Sequence, residues 1–222
     1  MNPESPDAKE AEPKHGAVRL FFEMDKKTEV SLKERIEKAK GLIRVFIHPD
    51  FERYSEFENI KDQPEDIEKL KEAEVVFRKI LSSESETVPP LFIFEDGVDN
   101  NDFEGKEKRL GELATQDVYI IRTTFANPDP LPLGQERTYS WNLFTKIGDE
   151  EKSLMWKWLI EEFKKLGVKK ILLGGLEFYV TGDKDKSHSG CMGTAMNKLK
   201  EHGFDVEISA LTWPSGREDA LK

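Results

Sequence analysis

The sequence predicts an α/β fold: a three-layer sandwich with a mostly parallel, doubly wound sheet of about six strands and helices on both faces. Short, almost uninterrupted apolar runs, as expected for strands that are buried on both faces, recur from residue 17 onward. Amphipathic segments with helical spacing separate them, so strands and helices alternate along the chain. The 222 residues show no internal repeat and suit a single domain, since domains commonly hold roughly 100–200 residues.

The predicted strands are rich in β-branched, aromatic and leucine residues, and charged residues, glycine or proline bound them. LIRVFI (42–47) is the clearest strand in the first half of the chain, and the fifth strand lies within a longer segment. In chain order the segments are AVRLFF (17–22), LIRVFI (42–47), LFIF (91–94), VYIIRTTF (118–125), KKILLGGLEFYV (169–180) and FDVEISAL (204–211). The stretch GDKDKSHSG (182–190) has loop composition.

Helices are predicted where apolar residues recur every three or four positions and a glycine or proline marks a boundary. The segment before Gly41 and the segment after Pro64 show this most clearly, and a short polar helix is predicted over 104–114. The apolar stripes consist of Leu32, Ile36 and Ala39; Ile67, Leu70, Phe77, Ile80 and Leu81; Met155, Leu159, Phe163 and Leu166; and Met192, Met196 and Leu199.

The domain organisation follows from composition. Residues 1–16 are polar, rich in proline, glutamate and lysine, and carry no hydrophobic period, so we expect a disordered N-terminal tail. Residues 17–222 are expected to form a single α/β domain. The segment 126–142 holds several prolines and is long for a loop inside a compact domain, which is typical of lids and binding loops.

The net charge of −10 disfavours binding to nucleic acid or to an anionic membrane surface, because like charges repel. No apolar stretch approaches the roughly 20 residues that span a bilayer, and residues 1–16 lack the apolar core of a secretory signal. A single cysteine excludes an internal disulfide and a multi-cysteine zinc site. We therefore expect a cytoplasmic protein. No metal site is predicted, and no phosphate-loop or dinucleotide motif identifies a cofactor.

Polar residues follow the predicted strands. In open parallel sheets, ligands bind outside the carboxyl ends of the strands, so residues at these positions are candidates for a site. The candidates are His48 and Asp50 after the second strand, Glu95 and Asp96 after the third, Arg122 in the fourth, and Gly190, Cys191 and Gly193 before the last. The alternative interpretation is conformational, since aspartate and glycine favour turns whatever their function.

Cys191 is the sharpest candidate, as a nucleophile. It lies in SHSGCMGTAM, at the expected start of a helix, where free N–H groups and the helix dipole stabilise a thiolate. The same N–H groups form an oxyanion or anion site, and Gly190 and Gly193 permit close approach of a ligand. The alternative is a small buried cysteine that packs as an alanine would.

His48 is the candidate general base, and Asp50 is the residue placed to orient it. A histidine hydrogen-bonded to backbone groups at a strand end is the alternative. Arg122 emerges from an apolar strand and suits an anion, although it would equally pair with Glu95 or Asp96. These two carboxylates form a ligand-binding candidate, whereas their spacing gives little reason to expect a metal.

From about Leu42 to Ala210, the order of elements resembles that of the isochorismatase-like cysteine hydrolases. In that family, one strand ends in an aspartate, a later strand presents a lysine, and a final strand runs into a helix that bears the nucleophilic cysteine. The corresponding segments here are IRVFIHPDF (43–51), IIRTTFANPDPL (120–131), LGVKKILLGG (166–175) and GCMGTAMNKLKEHGFDVEIS (190–209).

The resemblance implies that Cys191 stands at the nucleophile position. His48 stands where the family has its aspartate, with Asp50 two residues further on, and Arg122 stands where it has its lysine. Arginine stays protonated at neutral pH, so Arg122 would bind an anion rather than transfer a proton.

Three hypotheses of different classes follow. The first is a cysteine-dependent hydrolase or acyl-transfer enzyme that acts on a small polar or anionic molecule. The second is a non-catalytic domain that binds a small anion or a nucleotide at the same place. The third is a protein-interaction module that uses exposed aromatic residues among Trp141, Trp156 and Trp158, with a homodimer as one expected assembly.

Overall fold

The computed structural model describes residues 16–51, 64–83, 89–96, 103–123, 156, 159–176, 179–180 and 188–212. Within these residues, six strands form one parallel sheet, and helices pack on both of its faces. The predicted three-layer α/β fold is therefore confirmed. The proline-bearing segment 126–142 lies outside the described residues.

The six main strands all fall within the predicted segments or extend them by a residue or two. They are β1 (Val18–Leu20), β2 (Leu42–Ile47), β3 (Leu91–Asp96), β4 (Val118–Thr123), β5 (Lys170–Gly175) and β8 (Asp205–Thr212). The predicted polar loop is partly wrong, because His188 and Ser189 pair with two residues further back in the chain. This two-stranded antiparallel ribbon consists of β6 (Tyr179–Val180) and β7 (His188–Ser189).

The helices also lie in the predicted segments: one is the short polar helix predicted over 104–114, and the others carry the apolar stripes. They are α1 (Lys26–Lys38), α2 (Pro64–Leu81), α3 (Phe103–Leu113), α4 (residues 159–165) and α5 (Gly190–Glu201). Asp25 caps the first of them, since its side chain accepts a hydrogen bond of 2.7 Å from the Thr28 backbone N–H. Among the described residues, no helix has the length and apolar character needed to cross a membrane.

The sheet order is β1-β4-β3-β2-β5-β8, and each neighbouring pair is parallel. β2 therefore lies near the centre. From β2 the chain adds β3 and then β4 on one side, and afterwards β5 and β8 on the other. β1 pairs with β4, which lies about a hundred residues away in sequence, through the register Val18↔Val118.

Two hydrophobic clusters cover the two faces of the sheet, and successive residues of β2 contribute to opposite ones. Ile43, Val45 and Ile47 belong to the first cluster, with α1, α4 and α5, whereas Phe46 belongs to the second, with α2 and α3. A strand that is apolar at nearly every position is thus buried on both sides. Trp156 belongs to the first cluster and is 2 % exposed, so it is a core residue.

The first predicted strand is shorter than its apolar run. Phe21 leaves β1 and enters a 3-10 turn, Phe21–Glu23, which carries its ring into the first cluster. There it packs edge-on against Phe92, with ring centroids 5.3 Å apart. β1 therefore ends where the chain turns to bury this ring.

Candidate functional site

The order of strands reverses direction between β2 and β5, so the carboxyl ends of those two strands form the topological switch point of the sheet. The final residues of the strands, Ile47 and Gly175, are register partners. In open α/β sheets the crevice at such a switch point is the usual ligand site. We call the side of the sheet where its parallel strands end the carboxyl edge, and the opposite side the amino edge.

At the amino edge, helix ends account for every described residue of positive φ. α1, α4 and α5 each end with paired backbone hydrogen bonds donated by the second and third residues after the helix. The residues of positive φ at these ends are Lys40 with Gly41, Gly167 and Gly203. In α5, for example, Gly203 donates to the Lys200 carbonyl and Phe204 to the Leu199 carbonyl. These left-handed residues end helices and imply nothing further.

At the carboxyl edge, two residues of positive φ end strands instead. His48 has φ +47° and Gly175 has φ +123°. A non-glycine residue in the left-handed region costs about 1–2 kcal/mol, and such strain clusters at functional sites. His48 also precedes Pro49, a position that favours extended backbone. The strain therefore marks the switch point, where β2 and β5 end.

Gly175 is required by close packing against β2. A Cβ atom at this position would lie 2.0 Å from the Ile47 carbonyl oxygen and 2.6 Å from the Ile47 nitrogen. The next residue, Leu176, donates its N–H to the same carbonyl at 2.9 Å. The chain therefore turns out of β5 directly against the end of β2, beside His48.

His48 is buried, with 8 % of its surface exposed. Its backbone N–H donates to the Phe94 carbonyl at 2.8 Å, and its carbonyl accepts from the Asp50 N–H at 2.8 Å, so a tight turn forms around Pro49. Both of these bonds are made by the backbone. The histidine is thus held at the end of the central strand by main-chain contacts on either side.

Asp50 is held by an arginine that the sequence analysis did not single out. Its Oδ1 accepts a hydrogen bond of 3.1 Å from Arg109 Nη1, on α3, and the side chain of Asp50 is 14 % exposed. Phe51, the next residue, packs its ring 6.0 Å from that of Phe77 in the second cluster. The carboxylate of Asp50 thus contributes to an ion pair on the α3 side.

Cys191 occupies the first turn of α5, directly after β7. Because α5 leads into β8, which is parallel to the other strands, its N-terminus lies at the carboxyl edge, and α5 contacts both β5 and β8. Cys191 is 4 % exposed and belongs to the first cluster, with Met192 and Ala195. Gly190 is the first residue of α5, and Gly193, in the same turn, is buried.

The remaining candidates end the strands on the other side of β2. Glu95 and Arg122 are register partners in β3 and β4, as are Asp96 and Thr123. The side chains of Glu95, Asp96 and Arg122 lie outside the described part of the structure. Neighbouring strands lie about 4.8 Å apart, which puts the backbone of Arg122 roughly 10 Å from that of β2 across the sheet.

The backbone positions of the predicted site residues therefore lie along one edge, in a definite order. Arg122, then Glu95 and Asp96, then His48 and Asp50 follow one another along the strand ends, with the N-terminus of α5 beyond β2. His48 lies between the strand end that carries Arg122 and the helix that carries Cys191.

A bulge in β8 adds a further irregularity at the same edge. Leu173 pairs with Ile208 and Gly175 with Thr212, so β8 uses two more residues than β5 over this step. The Ser209 hydroxyl accepts from the Leu211 N–H at 3.2 Å, and the Thr212 hydroxyl donates to the Ser209 carbonyl. Bulges are enriched next to active sites, because they redirect side chains.

Sequence reasoning missed Arg109, Ser209 and Thr212. Arg109 lies in the charged segment EGKEKRLGEL, where it has the same pattern as a solvent-exposed helix face. Ser209 lies within the predicted strand 204–211, and Thr212 follows that strand directly. A bulge is a change of register between two strands, so the spacing of residues within one strand gives no pattern that would find it.

Comparison with protein-family models, with curated proteins and with solved structures finds no match to this chain. What the fold defines is a class: a three-layer α/β domain built on a parallel sheet. Within the described ranges, no three histidine, cysteine, aspartate or glutamate residues are grouped so as to hold a metal ion.

Proposed function

We propose that this protein is an enzyme that acts on a small polar or anionic molecule at the carboxyl edge, with Cys191 as nucleophile and His48 as general base. The observation that carries this proposal is His48 itself. It is buried, it has a left-handed backbone, and it lies at the switch point on the same edge as the N-terminus of α5. Strain of this kind persists where the surrounding structure imposes it.

The reaction is hydrolysis or acyl transfer. His48 takes the proton of the Cys191 thiol, and Sγ forms a bond to the carbonyl carbon of the substrate. The bond from that carbon to the leaving group breaks, and the leaving group departs with the proton held by His48. Water, or an acceptor alcohol or amine, then gives a proton to His48 and cleaves the thioester, which restores the thiol.

Two features of the edge suit the charges that develop. Backbone N–H groups in the first turn of α5, around Gly190 and Gly193, are placed to stabilise an oxyanion. Arg122 serves as the anchor for an anionic substrate. The resemblance to the isochorismatase-like cysteine hydrolases supports the same assignment of Cys191, with His48 and Arg122 at the positions of that family's aspartate and lysine.

The test uses p-nitrophenyl acetate and a panel of small carboxamides as substrates. Cys191→Ala should lower the rate by more than about 100-fold, because no other group can form the thioester. Met192→Leu is the matched control: it changes the neighbouring core residue at similar volume and should retain the wild-type rate. Equal rates in the wild type and Cys191→Ala would refute the proposal.

The burial of Cys191 favours a second candidate function. With 4 % of its surface exposed among apolar neighbours, the residue suits packing, and the edge would then bind a small anion or a nucleotide without turnover. Thermal-shift measurements with inorganic phosphate and with AMP distinguish the two. A shift that persists in Cys191→Ala, without hydrolysis of any substrate in the panel, would establish binding alone.

A further inference from the structure

Arg109 forms an ion pair unlike those made by most other charged residues of the described helices. Lys108 and Glu112, also on α3, lie 4.0 Å apart one turn from each other, with side chains 78 % and 65 % exposed. Arg109 instead reaches Asp50, 59 residues earlier in the chain, whose side chain is largely buried. A buried carboxylate makes a stronger and more directional hydrogen bond to a guanidinium than an exposed one does.

This ion pair acts on the turn that holds His48. The Asp50 N–H donates to the His48 carbonyl, so the position of Asp50 sets the conformation of the turn around Pro49. His48 has φ +47° in that turn, a conformation that is uncommon for residues other than glycine and that persists where the neighbouring structure imposes it. Arg109 fixes one part of that neighbouring structure, Asp50. It does so from α3, which packs on the face of the sheet opposite α5.

The geometry points to Arg109 as a positioning residue of the candidate site. By holding the Asp50 carboxylate, it keeps His48 in its left-handed conformation at the switch point. The importance of Arg109 for catalysis rests on the proposed role of His48 as base. The effect of Arg109 on the geometry of His48 does not depend on that role. Asp50 accordingly acts as an anchor of the turn.

The test measures His48 directly in the full-length protein. The rate at which diethylpyrocarbonate modifies His48 is followed by peptide mapping, and its imidazole resonance is followed by NMR, assigned with His48→Asn. Arg109→Met should raise the His48 modification rate at least about threefold and move its resonance, because the carboxylate loses its partner. Arg109→Lys keeps a donor and a charge, and should restore both readouts towards the wild type.

Arg35→Met is the matched control. Arg35 also makes a part-buried side-chain hydrogen bond, to Gln116 at the amino edge, so its loss perturbs the fold without touching the turn at His48. His202, which is exposed at the end of α5, is the internal reference for modification. A local effect raises the rate at His48 alone, and only in Arg109→Met.

Two outcomes overturn the proposal. One is a His48 rate and resonance that stay at wild-type values in Arg109→Met. The other is an equal response in Arg35→Met, or a parallel rise at His202, either of which indicates general loosening. These outcomes are independent of the substrate test: a Cys191-dependent esterase with an unresponsive His48 keeps the proposed function and loses the role of Arg109. If His48 responds but no substrate is hydrolysed, the role of Arg109 is kept and the proposed function is lost.

Discussion

Gly175 lies against Ile47 so closely that a Cβ atom at position 175 would sit 2.0 Å from the Ile47 carbonyl oxygen. The two residues end neighbouring central strands, and the contact joins the strand before the switch of direction to the strand after it. The backbone of β2 therefore leaves no room for a side chain at position 175, at the switch point of the sheet.

Gly175→Ala should lower the free energy of unfolding by more than about 2 kcal/mol, because it adds a backbone clash to an unfavourable φ. Gly167→Ala is the matched control. Gly167 also has positive φ, at +83°, but has open space around it, so only about 1–2 kcal/mol should be lost. Urea denaturation measures both. Equal losses of unfolding free energy in the two variants would show that the clash with β2 does not cause the destabilisation of Gly175→Ala.

Lys40→Gly should stabilise the protein by about 0.5–1 kcal/mol. Lys40 follows the C-terminus of α1 with φ +58° and is exposed, so glycine would relieve the left-handed strain without removing a contact. Lys38→Gly, inside the last turn of α1, should instead destabilise by a similar amount. Thermal unfolding of the two variants should therefore move in opposite directions, and movement in the same direction would contradict the assigned end of the helix.

Gln116→Leu should lower the free energy of unfolding by about 1–3 kcal/mol. The Gln116 amide donates to the Ile80 carbonyl at 2.8 Å and accepts from Arg35 at 3.2 Å, and so joins α2 to α1 across the amino edge. Ser82→Ala removes an exposed bond to the Lys79 carbonyl and should change stability by less than about 0.5 kcal/mol. Chemical denaturation that ranks Ser82→Ala as the more damaging change would contradict the role of Gln116.

Tyr119 should make the fold sensitive to alkali. Burial raises the pKa of the Tyr119 phenol above its ordinary value of 10.0, and Arg35 opposes this in part. A raised folded-state pKa means that the stabilising contribution is complete below pH about 10 and is lost as the pH rises towards the folded value. The stability of Tyr119→Phe, relative to the wild type, should therefore increase above pH 10. A constant difference across this range, measured by urea denaturation at each pH, would contradict it.

The sequence predicted the fold well because its strands are buried on both faces. Runs such as LIRVFI at 42–47 are apolar at positions that face opposite clusters, and this pattern is local and easy to see. Helix ends were similarly local, since Gly41, Gly167 and Gly203 each follow an amphipathic stripe.

The order of the strands was not predictable in this way. β1 pairs with β4 through contacts that join distant segments: the Gly16 N–H donates to the Ala114 carbonyl, and Asp117 accepts from Ala17 and Arg19. No local pattern encodes such a pairing. The extension of β3 to Asp96 likewise depends on its ladder with β4, which continues beyond the apolar run.

The sequence predicts which edge of the sheet carries the candidate site, but not how the residues are arranged there. Parallel topology brings residues after successive strands together, which sequence reasoning can use without knowing the strand order. The left-handed backbone of His48 and the pairing of Asp50 with Arg109 depend on the packing of α3 and on the turn at Pro49, and neither has a counterpart in residue spacing.

Among the described strands, the two at the outside of the sheet, β1 and β8, differ in the way they discourage further pairing. β1 contributes only three residues, so little backbone is offered to another chain on that side. β8 is longer, but it carries exposed Asp205 and Glu207 and is interrupted by its bulge. Short strands, charges and bulges are the common protections against edge-to-edge aggregation. The fold should therefore resist growing into a fibre by strand addition, even though its central strands are among the most hydrophobic parts of the chain.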